Sequence, residues 1–136
     1  MKKGMTVIEL MITMVILAIA LSAFFAFFIT NQRTNVKFNV LKNLYAGAES
    51  VIDDFKTDIL DSPGSYDALW QNTADGQVVR TVSDTIGNSI YTYTVTCSTR
   101  VGSNAADPGS YMIFYVNGSG PYNVGVKLEF YLSYHQ

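Results

Sequence analysis

The most unusual ionisable side chain in this sequence is the carboxylate of Glu9, because it lies at the start of a long uncharged segment. From Leu10 to Gln32 the chain has no charged residue. A charged side chain at the centre of a membrane-spanning helix costs about 2.5–3.5 kcal/mol on insertion scales, and less near an interface. The dipole at a helix N-terminus offsets only about 0.3–1 kcal/mol of this penalty. We therefore expect a functional role for Glu9, with a cation as its partner.

The other nucleophilic and metal-ligating side chains give little support for catalysis. The only histidine, His135, is the penultimate residue, and the only cysteine, Cys97, lies on the predicted buried face of a strand. A buried thiol packs as a small apolar group and is usually inert. One cysteine cannot form an intrachain disulfide. We predict no enzyme activity, no catalytic residue, no cofactor and no bound metal.

Two acidic features invite a metal-binding interpretation, but neither has the spacing of a calcium loop. Four aspartates lie close together in one predicted helix, at Asp53, Asp54, Asp58 and Asp61. A solvated acidic helix face is the favoured interpretation of this cluster. In the predicted loop 102–110, Asp107 is the only carboxylate, which is too few for a predicted site.

The segment that follows Glu9 is long and apolar enough to cross a membrane. About 20 apolar residues span the roughly 30 Å hydrocarbon core as a helix, and residues 10–29 are predominantly apolar. A cleavable secretory signal has a shorter apolar region and a small-residue cleavage site after it. Hydropathy alone therefore predicts an uncleaved signal anchor, with Lys2 and Lys3 in the cytoplasm and the C-terminal domain outside. This interpretation leaves Glu9 unexplained.

The sequence KGMTVIELM, at residues 3–11, resembles the class III signal of type IV pilins and type II secretion pseudopilins. In that family a short basic leader ends in glycine, an apolar residue follows, and glutamate is fifth in the mature chain. The resemblance implies that a prepilin peptidase cleaves between Gly4 and Met5, that Met5 is N-methylated, and that Glu9 acts in assembly. Two positions depart from the family pattern, since Met5 replaces the usual phenylalanine and Ala26 replaces a proline common in pilins.

The chemistry of a processed N-terminus fits this assembly role. A new α-amino group on Met5 has a pKa near about 8 and is largely cationic at neutral pH. In a bundle of stacked helices, Glu9 can pair with that amine on its own chain or on a neighbour. An unpaired buried charge is far more costly than the pair is favourable, so the pair would fix helix register. Packing of residues 10–29 would supply the remaining affinity, including four aromatic side chains at Phe24, Phe25, Phe27 and Phe28.

The remainder of the sequence predicts a helix and then a sheet. Apolar residues recur at steps of three and four at Leu41, Leu44, Ala48, Val51 or Ile52, Phe55 and Ile59. This helical period ends at Ser62-Pro63-Gly64, which predicts one helix over residues 5–61. Alternation with a period of two then predicts strands at 77–82, 91–101, 111–116 and 124–134. The odd-numbered residues from 91 to 101 form the predicted inward face of one strand, and the even-numbered residues from 124 to 134 form that of the last strand. Short connections favour an antiparallel sheet covered by the helix, which is an α+β, type IV pilin-like fold.

Two segments have an ambiguous secondary structure, and one glycine is unfavourable in the predicted helix. Residues 65–75 have no clear period, with Leu69 and Trp70 as the expected core contacts. Asn117-Gly118-Ser119 fits the glycosylation acceptor pattern, but we favour a hairpin turn within a connection at 117–123. Gly47 lies inside the predicted helix, where glycine costs about 1 kcal/mol relative to alanine.

The predicted organisation is a leader at 1–4, an apolar transmembrane and assembly helix at 5–30, and a pilin globular domain at 31–136. In that domain an amphipathic helix covers about 31–61 and the antiparallel sheet about 76–134. The resemblance implies a structural subunit of a type IV pilus or pseudopilus. Its partners would be other pilin subunits, prepilin peptidase and the inner membrane. It would be a single-pass inner-membrane prepilin and then an extracellular or periplasmic filament.

Two alternatives to a structural subunit stay open. One is a low-copy minor pilin that acts in adhesion or DNA capture, and the other is an uncleaved signal-anchored envelope protein. Residues 44–59 resemble the helix of PilW-type minor pilins and J-type pseudopilins. The formal net charge of −2 does not suggest a general phosphate-binding surface, so nucleic-acid binding remains undecided.

Overall fold

A computed structural model describes residues 6–62 and 64–133 of the chain. Their elements are helices α1 (Val7–Leu60) and α2 (Ser65–Asn72) and strands β1 (Val78–Ile86), β2 (Ser89–Val101), β3 (Tyr111–Ser119) and β4 (Gly125–Leu132), with a 3-10 turn at Pro121–Asn123 before β4. The predicted long helix is confirmed from Val7 onward. Predictions for Gly4, Met5, Pro63, Tyr134 and His135 concern residues outside the described ranges.

Contacts divide the chain between Phe38 and Asn39 into two units. In the first unit, every described residue is exposed. Helix α1 is continuous through Ala26, as expected when alanine replaces a proline that would remove a backbone hydrogen bond. The rings of Phe24 and Phe25 meet edge to face at 6.2 Å between centroids. This unit is therefore a helix with an unburied apolar surface.

In the second unit, one face of α1 packs on the sheet. The fully buried helix residues are Val40, Leu44, Ala48, Val51 and Phe55. Their steps of three and four place them on one stripe, as the periodicity predicts, while Leu41, Ile52 and Ile59 lie half-buried at its margins. The Phe55 ring contacts Phe114 at 5.3 Å and Phe130 at 5.9 Å. Helix and sheet thus share one core.

The sheet is an antiparallel meander in the order β1-β2-β3-β4, which confirms the predicted α+β architecture. Alternate residues of the three strands β2 to β4 point into the core. The buried members are Tyr91, Tyr93, Val95, Cys97, Met112, Phe114, Val116, Val126, Phe130 and Leu132. The predicted inward faces of these strands are confirmed up to Cys97 in β2 and throughout β4 as far as Leu132.

A β-bulge in β2 reverses the alternation after Cys97. Cys97 pairs with Phe114 and Thr99 with Ile113, so Ser98 is an extra residue without a partner. Val101, predicted to face the core, is therefore 36% exposed. Arg100 now points to the helix side, where its Nη1 donates to the backbone oxygen of Trp70 at 2.8 Å. The prediction of an uninterrupted inward face from residue 91 to 101 was wrong.

The prediction that a turn-rich connection begins at residue 117 was also wrong. Strand β3 continues through Ser119, and Asn117 pairs with Thr94 on one side and Lys127 on the other. Cross-strand pairing on both sides overrides the turn propensity of Asn-Gly. The acceptor-like sequence therefore lies in a central strand and is not a hairpin turn.

The ambiguous segment after α1 forms helix α2, which closes one end of the core. Trp70 is buried as expected, and Leu69 is half-buried. Tyr66, which the sequence did not indicate, is also buried and donates its hydroxyl to the backbone oxygen of Leu132 at 3.3 Å. Strand β1 runs four residues beyond its predicted end at Val82, because it pairs with β2 up to Ile86 and Ser89.

Candidate functional site

Thr6 and Glu9 form a pair of reciprocal hydrogen bonds at the start of α1. The backbone N–H of Thr6 donates to Glu9 Oε2 at 3.4 Å, and the backbone N–H of Glu9 donates to Thr6 Oγ1 at 3.3 Å. This arrangement is a capping box, which satisfies backbone donors that a helix N-terminus leaves unpaired. The carboxylate also lies in the first turn, where the helix dipole favours negative charge.

The capping box adds Thr6 to the predicted site. The sequence signal for this box is a threonine three positions before a glutamate, whereas the pilin signal motif includes Glu9 alone. The second carboxylate oxygen, Oε1, accepts no hydrogen bond from the described residues. The described ion pairs are Arg80 with Asp58 and Arg100 with Asp75, so no described residue supplies a cation to Glu9. The predicted cleavage and methylation residues, Gly4 and Met5, lie outside the described ranges.

Over residues 10–29 the surface of α1 is predominantly apolar, and hydroxyl groups in this segment bond to the helix itself. Thr13 Oγ1 donates to the backbone oxygen of Glu9 at 2.6 Å, and Ser22 Oγ donates to that of Ile19 at 2.8 Å. With polar groups satisfied inside the segment, such a helix can enter lipid or pack against other apolar helices. Among the described residues, α1 is the one helix that is long and apolar enough to cross a membrane.

Residues 1–25 match the family described as the prokaryotic N-terminal methylation motif. The chain carries a type IV pilin signal. The long helix on an antiparallel sheet is consistent with a pilin-like fold. Comparisons with curated proteins and with solved structures give no significant match.

The type IV pilin signal implies processing by prepilin peptidase and assembly with pilins. Together with the apolar α1 surface, it fits membrane anchoring followed by filament assembly. It also points to a structural protein and not to an enzyme.

The thiol of Cys97 is part of the hydrophobic core. Cys97 is fully buried, and this burial, with a smaller contribution from Asp75, raises the pKa of its thiol, while Arg100 acts in the opposite direction. The raised pKa keeps the thiol protonated and unreactive at neutral pH.

Three aspartates of α1 and Asp61, which directly follows the helix, form an exposed acidic surface, as expected. These residues, Asp53, Asp54, Asp58 and Asp61, are all solvent-accessible. Asp58 accepts a hydrogen bond from Arg80 Nη1 at 2.7 Å, which links α1 to the edge strand β1. Within residues 6–62 and 64–133, no group of three or more potential ligands could hold a metal ion.

Proposed function

We propose that this chain is a structural subunit of a type IV pilus or related pseudopilus filament. The observation that carries the proposal is a type IV pilin signal over residues 1–25, together with a helix whose predominantly apolar residues 10–29 are all exposed. Many exposed apolar side chains in water are unfavourable. A membrane before assembly and neighbouring helices after assembly would each cover this surface.

The proposed processing removes residues 1–4 and leaves an N-methylated Met5 as the first residue. Its α-amino group would then lie one residue before Thr6, whose N–H donates to one oxygen of Glu9. The other oxygen would pair with a neighbouring subunit's amine. One carboxylate could therefore cap its own helix and fix the register of the next subunit, because a shifted register would leave a buried charge without its partner, which is strongly unfavourable.

In the proposed arrangement, residues 5–30 form the transmembrane and assembly helix and residues 31–136 form the globular domain. The two lysines of the leader favour a cytoplasmic N-terminus in the inner membrane. The globular domain would then be outside the cytoplasm, and later in an extracellular or periplasmic filament.

Subunit copy number tests the structural role against the minor-pilin alternative. Quantitative mass spectrometry of purified filaments should find this chain as an abundant component along the filament. A few copies per filament would instead indicate a minor pilin for adhesion or DNA capture, and recovery only from the membrane fraction would indicate an uncleaved envelope protein.

A further inference from the structure

The turn between β3 and β4 holds two consecutive non-glycine residues in the left-handed region. Tyr122 has φ 61° and ψ 23°, and Asn123 has φ 55°. The N–H of Val124 donates to the backbone oxygen of Pro121 at 3.3 Å and closes the turn. Positive φ at both central positions is typical of a type I′ turn, which favours asparagine and glycine. A tyrosine at the first central position therefore destabilises the turn.

The Tyr122 side chain gains little from packing against the described residues. It is 62% exposed, and it makes no hydrogen bond or ring contact with the described residues. At the base of the turn the backbone of Gly120 packs closely on the core, since a Cβ at this position would lie 3.2 Å from the Tyr91 ring and 3.3 Å from Val40. The turn therefore exposes the Tyr122 ring to solvent, while Gly120 at its base packs on the core.

The composition of the turn indicates the chemistry of a partner for Tyr122. Residues 119–125 contain no charged side chain, so the turn offers no ionic contact to a charged ligand. Exposed tyrosine rings are frequent anchors in protein interfaces, where they bury a large apolar area. The chain itself provides a matching surface, because residues 10–29 are uncharged, predominantly apolar and exposed.

We propose that Tyr122 docks on the apolar α1 segment, residues 10–29, of a second copy of this chain. The inference rests on the filament function proposed above, since a filament brings such segments from many copies together. Burial of the ring against a neighbour would stabilise the assembled state. That gain explains a residue that is unfavourable in the isolated turn, because sequences break local rules mainly at functional positions.

Two substitutions at this position separate an interface role from a structural one. Tyr122→Asn introduces the residue that a type I′ turn prefers, so the melting temperature of the full-length subunit should be unchanged or higher. Its incorporation into filaments should nevertheless fall by about tenfold or more, as for the loss of an interface anchor. Tyr122→Phe keeps the ring and should incorporate normally. Incorporation of Tyr122→Asn at the wild-type level, or a lowered melting temperature, would overturn the inference.

Photocrosslinking identifies the partner directly. With p-benzoylphenylalanine in place of Tyr122, irradiated filaments should give a subunit dimer whose crosslinked peptide lies within residues 10–29. The same probe in place of Tyr131, which is 53% exposed on the outer face of β4, should give no adduct to that segment. Adducts to lipid alone, or to another protein, would overturn the inference while leaving the filament function intact. Failure of the unsubstituted chain to enter filaments would contradict both.

Discussion

Glu9 has two separable properties, a negative charge and a hydrogen-bonding position in the capping box with Thr6. The charge is what the proposed pairing with a neighbouring Met5 amine requires, and the capping bonds are local to one chain. Glutamine retains the capping geometry without the charge. The two properties can therefore be tested with different substitutions at two neighbouring positions.

If pairing drives assembly, Glu9→Gln should be processed but largely excluded from filaments. Thr6→Ala removes one capping bond and keeps the carboxylate, so it should reduce helix stability by about 0.5–2 kcal/mol and still assemble. Immunoblots of filament and membrane fractions measure both outcomes. The reverse pattern, with Glu9→Gln assembling and Thr6→Ala excluded, would assign the role of Glu9 to capping.

Gly47 is required by the Tyr93 side chain and not by the backbone. A Cβ at position 47 would overlap both the hydroxyl oxygen and the ring Cζ of Tyr93, and this hydroxyl donates to the backbone oxygen of Asn43 at 3.4 Å. Gly47→Ala gains about 1 kcal/mol of helix propensity, but overpacking costs about 1–3 kcal/mol, so we expect net destabilisation. Urea denaturation measures the change. Tyr93→Phe should restore part of the loss in the double variant, and additive effects would contradict the overlap.

The burial of Cys97 predicts a stability that declines at alkaline pH. Burial raises the folded-state pKa of its thiol above the ordinary value for cysteine. The contribution to stability is therefore complete below the unfolded-state pKa and is lost as pH rises from there through the folded-state pKa. The pKa values of Tyr66 and Tyr93 are raised by burial as well and act in the same direction above about pH 10.

Cys97→Ala should flatten the decline in stability that begins at about pH 9, although it lowers stability at neutral pH by opening a small cavity. Urea midpoints measured from pH 7 to about pH 10.5 test this expectation. The native thiol should also resist aromatic disulfide reagents at pH 8 until urea unfolds the domain. Rapid labelling of the folded chain would contradict its burial.

At the scale of elements, the helix-to-sheet contact depends on Phe55. This residue is 3% exposed and packs edge-on against Phe114 and Phe130. Phe55→Ala should destabilise the domain by about 3–5 kcal/mol. Phe38→Ala is the matched control, because Phe38 lies on the same helix and is 66% exposed; its effect should stay within about 0.5 kcal/mol. Equal losses in urea denaturation would contradict the packing.

Sequence patterns predict best those helices and strands whose buried residues recur at a constant spacing. The stripe from Leu44 to Phe55 keeps a helical period, and β4 keeps a strict period of two, so both faces were evident. The bulge at Ser98 carries no glycine or proline to mark it, and it reverses Arg100 and Val101. Asn117 has the chemistry of a turn, but its two strand partners override that preference.

The functional residues differ in how clearly the sequence alone indicates them. Glu9 stands out because a charge in an apolar segment is energetically costly, whereas Thr6 is evident only once the helix start is located. The left-handed conformation of Tyr122 has no sequence signal, since turns of this type normally contain asparagine or glycine. Only the backbone geometry points to that residue.

At the scale of the whole molecule, the chain combines a folded helix-and-sheet domain with a helix whose apolar surface has no partner within the described residues. The domain has its own core, to which none of the described residues 6–38 contributes. The type IV pilin signal accounts for the apolar helix, because it implies membrane anchoring followed by assembly with other pilin subunits.

The most direct test of this account is the mass of the mature N-terminus in protein recovered from filaments. Tandem mass spectrometry should find chains that begin at N-methylated Met5, with residues 1–4 removed. A Gly4 substitution that blocks the peptidase should leave the full chain in the membrane fraction. Recovery of filaments built from chains that still begin at Met1, in cells with an active prepilin peptidase, would contradict the central claim.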